Sequence, residues 1–287
     1  MTKRYMALET AAEDCRLYHY TQCSSMKGIV AGKCMYATDS SFLNDVNEIE
    51  YMLFVADNVI GDMLKPEWCQ LLREQIHTTM QEMRKADYYI ISFSTDPDSI
   101  TLWSEFGNQT GYNIGFNAGE LIKRIEKERE IFCHGYVIYD KEAQKEIIKS
   151  LLFKRIPAKV GMDFDKIMDT RIREGQCKEF DDLCKRFRSI ISIYALFFKQ
   201  QEFEAEKEYR IVFRNCKKEE LMFRERDGFL MPFIRVGHIN QEPMPITSIT
   251  VAPKNHVDLA RKGAEQYLLH MGYKNPTVYL SKLKLRY

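Results

Sequence analysis

The chain has 287 residues, 45% of them apolar and 29% charged, a usage that excludes collagenous, disordered and disulfide-scaffold proteins. Lys and Arg number 42 against 41 Asp and Glu, so no chain-wide field draws it onto nucleic acid or an anionic membrane. The length fits one domain over 1–287 that carries a sizeable insertion.

The first predicted element is a short aromatic strand over 17–21. Ser24 and Ser25 then cap a helix that runs through Val30 and stops at Gly32, and a strand follows over 34–37. Ile49, Met52, Leu53, Ala56, Ile60 and Met63 fall at helical spacing, and Trp68, Leu72, Ile76, Met80 and Met83 repeat the pattern after Pro66, which predicts a helical hairpin. Residues 88–93 are β-rich and almost wholly apolar, as a strand buried on both faces requires. Asp98 with Thr101 opens a short helix that gathers Leu102, Trp103 and Phe106 before Gly107 breaks it.

Strands over 111–116 and 132–139 flank a charged helix. Residues 141–200 read as a helical insertion interrupted at Gly161 and Gly175. Three consecutive strands follow, over 209–213, 230–236 and 246–251; Pro253-Lys254-Asn255 stops the last and caps a helix over 257–271. A final strand spans 278–283, so strands gather at both ends around a helical middle, and the fold class is α+β.

Residues 1–15 lack an apolar core of signal-peptide length, and no run reaches the roughly 18 apolar residues that span a bilayer, so the expected location is the cytoplasm with no membrane partner. Eight cysteines without a C-x-x-C pair are expected as reduced thiols, and no metal is assigned. Cys133 beside His134 in an apolar stretch is expected as core filling.

Four clusters contain polar or aromatic residues that a core does not ask for. The first is Tyr18-His19-Tyr20-Thr21, and the second is Phe42-Leu43-Asn44-Asp45 with Glu48, where Asn44-Asp45 also suits an Asx-turn or helix cap. The third runs from Ser92-Phe93-Ser94 to Trp103, whose aromatic face suits either the core or a planar ring. In the fourth, alternation along an extended chain puts Glu206, Glu208 and Arg210 on one face and Ile211 and Phe213 on the other.

Taken in order, Leu17 to Thr21, Phe42-Leu43-Asn44-Asp45 with Glu48, Phe93-Ser94 with Trp103, Glu206-x-Glu208-x-Arg210 and the closing stretch from Ser281 to Arg286 resemble the bacterial family called domain of unknown function 2971. A more distant likeness runs to the ADP-ribosyltransferase superfamily, with His19 and Thr21 at its His-x-Ser/Thr position, Tyr36 at its second-strand aromatic, and Glu208 or Glu206 at its glutamate. Tyr20 departs from that pattern, which often has a glycine there. The resemblance implies a central mixed or antiparallel sheet of ADP-ribosyltransferase type and NAD as substrate. His19, Tyr20 and Thr21 would line the NAD site with Asn44 and Ser94, His19 and Thr21 bonding the ribose and amide. Tyr36 or Trp103 would stack on nicotinamide, and Glu208, or else Glu206, would be catalytic. Arg210 would bind a pyrophosphate oxygen or pair with a carboxylate. The resemblance also implies a bacterial toxin or antiphage effector that modifies a nucleic acid or protein acceptor, with an antitoxin or regulatory protein as a partner.

Two rival readings stand beside this one. The first is a non-enzymatic module of the same fold that binds a nucleotide or protein. The second is a metal-dependent nuclease built on Asp45, Glu48 and Glu208.

Overall fold

A computed structural model describes residues 8–42, 48–107, 111–226, 228–239, 242–254, 256–274 and 276–283, with 48 and 49 in backbone only. The first elements in chain order are β1 (Arg16–Thr21), α1 (Cys23–Gly32), β2 (Met35–Asp39), α2 (Glu48–Met63), α3 (Pro66–Met83), β3 (Tyr88–Ser94), α4 (Ile100–Glu105) and β4 (Tyr112–Asn117). Next come α5 (Ala118–Glu126), β5 (Cys133–Tyr136), α6 (Lys141–Ser150), α7 (Ile156–Val160), α8 (Phe164–Glu174) and α9 (Lys178–Tyr194). The chain closes with β6 (Glu208–Arg214), β7 (Met222–Arg226), β8 (Phe229–Val236), β9 (Ile246–Val251), α10 (Val257–His270) and β10 (Thr277–Leu280). The fold class is therefore mixed α+β, as the order of predicted elements implies.

The chain divides into two compact units. One comprises Met1–Ala7, Asn44–Ala86 and Val137–Phe203, and the other Leu8–Leu43, Asp87–Tyr136 and Glu204–Tyr287.

The second unit holds one ten-stranded sheet, antiparallel throughout except where β10 runs parallel to β9. Its centre is β3, whose seven residues include six buried ones. Along one edge β3 pairs with β6 over its whole length, from Tyr88↔Arg214 to Ser94↔Glu208. Its other edge is shared: β1 touches it at Tyr18↔Ser94, and β2 at Thr38↔Ile90 and Asp39↔Tyr89. From that edge the sheet forks, one arm continuing β1-β4-β9-β10 and the other β2-β8-β7.

Alternation sorts the two faces. Tyr89, Ile91 and Phe93 of β3, Ile114 and Phe116 of β4, and Tyr209, Ile211 and Phe213 of β6 form one core with Ile29 and Val30 of α1, Leu121 and Ile125 of α5, and Leu268 of α10. Each such fully buried side chain contributes about 1.5–3 kcal/mol relative to leaving it in water. The opposite face of β3 and β6 carries Ser92, Ser94, Glu208 and Arg210.

The first unit is helical. Trp68 and Phe164 pack edge to face at 5.9 Å, and α9 buries Phe180, Leu183, Phe187, Ile190 and Ile191. Between α6 and α7 a π-helical turn, Leu151–Arg155, carries the chain past Pro157, whose missing N–H would break a regular helix. Gly161 and Gly175 end α7 and α8 in the left-handed conformation (φ 83° and 70°). Gln144, fully buried, donates to Ile138 O and Lys199 O and accepts from Tyr51 Oη.

Several local expectations change. Gln22, with no side-chain bond, precedes α1, so Ser24 and Ser25 lie inside its first turn rather than capping it. Ser99, not Asp98, caps α4 by accepting from Leu102 N. The 132–139 strand shortens to Cys133–Tyr136, the 278–283 strand to Thr277–Leu280, and β7 had no sequence counterpart. Asn255 lies outside the described residues, and His256 (φ 55°) precedes α10. The strands β6, β8 and β9 follow one another in sequence but pair with β3, β2 and β4.

Candidate functional site

The fork in the sheet positions the first side chain. Past Tyr18↔Ser94, β1 makes no further ladder pairing with β3, and the Ser92 carbonyl takes the His19 ring instead, with Nδ1 at 2.9 Å. A carbonyl oxygen only accepts, so Nδ1 carries the proton and Nε2 of the neutral ring presents a lone pair. Burial pushes the His19 pKa down to about 4, against the Ser92 bond and with help from the Arg224 charge. At neutral pH His19 is therefore an uncharged acceptor, its ring 5.8 Å from Phe93.

The next strand over supplies a charge pair. Glu208 and Arg210, two residues apart on one face of β6, stand opposite Ser94 and Ser92. Arg210 grips the carboxylate with both arms of its fork, Nε to Oε1 at 2.8 Å and Nη2 to Oε2 at 2.7 Å, and the side chains are 2% and 6% exposed. Bidentate geometry of this kind offsets the desolvation of both charges and holds Glu208 as an anion. Ser94 Oγ donates to the Glu206 carbonyl at 2.7 Å and accepts from Asp96 N at 3.0 Å.

Glu206 precedes that strand. It ends a 3-10 turn, Gln201–Glu206, and Lys207 at φ 46° turns the chain before β6 begins. The extended alternation expected from Glu206 onward starts at Glu208, and the buried Glu206 accepts from Ser94 Oγ through its carbonyl oxygen.

On the other arm, Tyr36 of β2 lies 4.9 Å from the Phe233 ring. Its hydroxyl packs against Gly28 of α1, where a Cβ would come within 2.9 Å of Oη. Two residues on, Thr38 Oγ1 accepts from Arg224 Nη2 of β7 at 2.9 Å. Arg224 is a functional candidate that sequence reasoning missed. The signal was present as Met222 to Arg226 and Phe229 to Pro232 around Asp227-Gly228, a hairpin pattern.

Other expected site residues are elsewhere. Trp103, 1% exposed, packs edge-on against Tyr20 at 4.7 Å, in a small core with Leu102 and Ala252. Its Nε1 donates to Asp98 Oδ1, which also accepts from Ser281 Oγ, while Oδ2 accepts from Lys282 N. Tyr20 donates to Asp96 O and accepts from Ser99 N. Thr21 ends β1 opposite Tyr112, 8% exposed. Asn44 and Asp45 lie outside the described residues, as does the side chain of Glu48. Thus Ser94, Glu208 and Arg210 share one face of β3 and β6, His19 of β1 meets β3 through the Ser92 carbonyl and the Phe93 ring, Tyr36 stands across the fork, and Tyr20 and Trp103 belong to a separate core.

His134 Nδ1 lies 2.6 Å from Tyr209 Oη, and burial raises the Cys133 thiol pKa, the opposite of what a nucleophile needs. Among the described residues no three His, Cys, Asp or Glu side chains are grouped to hold a metal ion, and no helix is long and apolar enough to cross a membrane.

Residues 102–211 match the family model described as Protein of unknown function (DUF2971). That stretch contains Trp103, Glu206, Glu208 and Arg210, and stops short of His19, Tyr36 and Ser94. No curated protein and no solved structure matches the chain.

Proposed function

We propose that the forked sheet carries an NAD-dependent ADP-ribosyltransferase site that modifies a nucleic acid or protein. What supports the reading above all is that a neutral His19 and an ionised Glu208 flank β3 where β1 and β2 part from it. Breaking the bond between nicotinamide and ribose leaves oxocarbenium character on the sugar, which a fixed carboxylate stabilises. In this reading Glu208 is that carboxylate, His19 Nε2 accepts from a ribose hydroxyl, and Tyr36 lies against the nicotinamide. The acceptor's nucleophile attacks the ribose carbon as nicotinamide leaves, and its proton passes to solvent or to Glu208. Arg210, its fork closed on Glu208, keeps that carboxylate charged and oriented.

One observation favours a second reading, a non-enzymatic nucleotide- or protein-binding module: both Glu208 oxygens are already engaged by Arg210. The two are separated by incubating wild type and Glu208→Gln with labelled NAD and separate pools of RNA, DNA and protein. Label transfer and free nicotinamide from the wild type alone, with the variant folded by far-UV circular dichroism, support the transferase and name the acceptor class. Neither product from folded wild type moves the assignment to the binding module.

A further inference from the structure

We propose that Arg224, with Thr38 and the face of β7-β8 around it, is the anchor for a phosphoryl group of a bound ligand. Other well-buried arginines have carboxylate partners: Arg210 has Glu208, Arg124 has Glu242, and Arg129 has Glu220. Arg224 has none among the described residues. Its Nη2 donates to the Thr38 hydroxyl at 2.9 Å and touches the Met231 sulfur at 3.4 Å, and its guanidinium lies 5.7 Å from the Phe233 ring centre. Among the described residues its Nε is buried without an acceptor, as Arg129 Nε is, but Arg129 has a carboxylate on its other arm and Arg224 does not. A guanidinium drawn out of water against an aromatic ring, with donors unused, lacks an anion to complete it.

The surroundings select the anion. Arg226 stands on the same face of β7, and Arg235, on β8, pairs with Tyr36 of β2, so two further cations lie on the strands that hold Arg224. Such a field suits a group with more than one negative charge, a phosphate or pyrophosphate, over a single carboxylate. Arg224 bonds Thr38, two residues from Tyr36 on β2, and the Phe233 ring lies against both Arg224 and Tyr36, which places the anchor beside Tyr36 of the candidate site. Where the transferase reading holds, the anchored group is the NAD pyrophosphate, a role Arg210 is not free to take while its fork holds Glu208. The anchor itself does not require turnover.

The test is calorimetric titration of the full chain with inorganic pyrophosphate, ADP-ribose and acetate, using wild type, Arg224→Met, Arg224→Lys and Glu208→Gln. Wild type is expected to bind pyrophosphate and ADP-ribose with salt-sensitive affinity and acetate far more weakly. Arg224→Met should lose about 10- to 100-fold, and Arg224→Lys less, because it keeps the charge but not the fork. Glu208→Gln should not weaken pyrophosphate binding, because it removes a carboxylate and loosens the Arg210 fork. That pattern supports the anchor whether or not NAD is consumed. Equal pyrophosphate affinity in wild type and folded Arg224→Met overturns it even if label transfer depends on Glu208, as does acetate binding as tight as pyrophosphate. Should Arg224→Met fail to fold, Arg224→Gln replaces it under the same criteria.

Discussion

Two polar clusters flank β1, and they differ in what their hydrogen-bonding groups have left over. In the cluster of Tyr20, Asp98 and Trp103, each polar group meets a partner inside the fold: the indole N–H and Ser281 Oγ on one Asp98 oxygen, Lys282 N on the other, and the Tyr20 hydroxyl both donating and accepting. At His19 and Arg224, on strands either side of the fork, one ring nitrogen is bound and the other is an acceptor in waiting, and the guanidinium has a buried Nε without an acceptor among the described residues. Residue type does not separate the two, since both mix aromatic and polar side chains on neighbouring strands. Unused bonding capacity does. Where it is consumed the residues hold the fold together, and where it remains they can bind something.

The largest effects are expected where capacity is consumed. Trp103→Ala removes a buried ring and leaves the Asp98 carboxylate one donor short, at a cost of about 3–5 kcal/mol in urea denaturation followed by circular dichroism. Arg210→Met takes the bidentate cation from the buried Glu208 carboxylate and should also cost about 3–5 kcal/mol. Adding Glu208→Leu to Arg210→Met should recover most of that loss. Recovery of none of it would mean that the pair is held by the packing around it and not by its own charges.

A smaller effect sits at the other cluster. The folded His19 pKa of about 4 lies below the ordinary 6.5, so the unfolded chain takes up the proton first as pH falls. The stability tied to a neutral His19 is fully present above pH 6.5, is lost progressively below it, and is gone by pH 4. The amount is about 3 kcal/mol for the full difference. His19→Asn can still donate to Ser92 O but does not titrate, so its stability should fall less than that of wild type between pH 6.5 and 4. Parallel pH profiles of the two proteins would place the depressed pKa elsewhere.

How much of this was legible in sequence follows the same physics. Apolar periodicity is a local property, so the hairpin of α2 and α3, the buried β3 and the strand Ile246–Val251 were readable from spacing alone. The fork was not, because it depends on which edge of β3 takes β1 and β2, and pairing between residues as distant as Tyr18 and Ser94 leaves no periodic trace. Glu208 and Arg210 were legible as an alternating pair; that the strand starts only at Glu208 was not, because Lys207 adopts a positive φ, which residue type does not announce. Trp103 illustrates the remaining ambiguity, since an aromatic residue at helical spacing reads the same in a core or a stacking site until its N–H is traced to Asp98. Arg224 was lost with β7, a strand whose charged Arg-Glu-Arg stretch disguised its alternation.

The smallest expected effect is also the sharpest separation of the two clusters. Arg224→Met gives up the bond to Thr38 and the contact with Phe233, each about 0.5–1.5 kcal/mol, but also removes a buried N–H without an acceptor, a relief of about 1–3 kcal/mol. The balance is a stability change centred near zero and within about 2 kcal/mol of it on either side. The same substitution thus costs several kcal/mol at Arg210 and almost nothing at Arg224, although both guanidinium groups are drawn out of water. Urea denaturation of the two variants measures the difference directly. A large loss at Arg224 would mean that its donors are satisfied within the fold and that both clusters are structural.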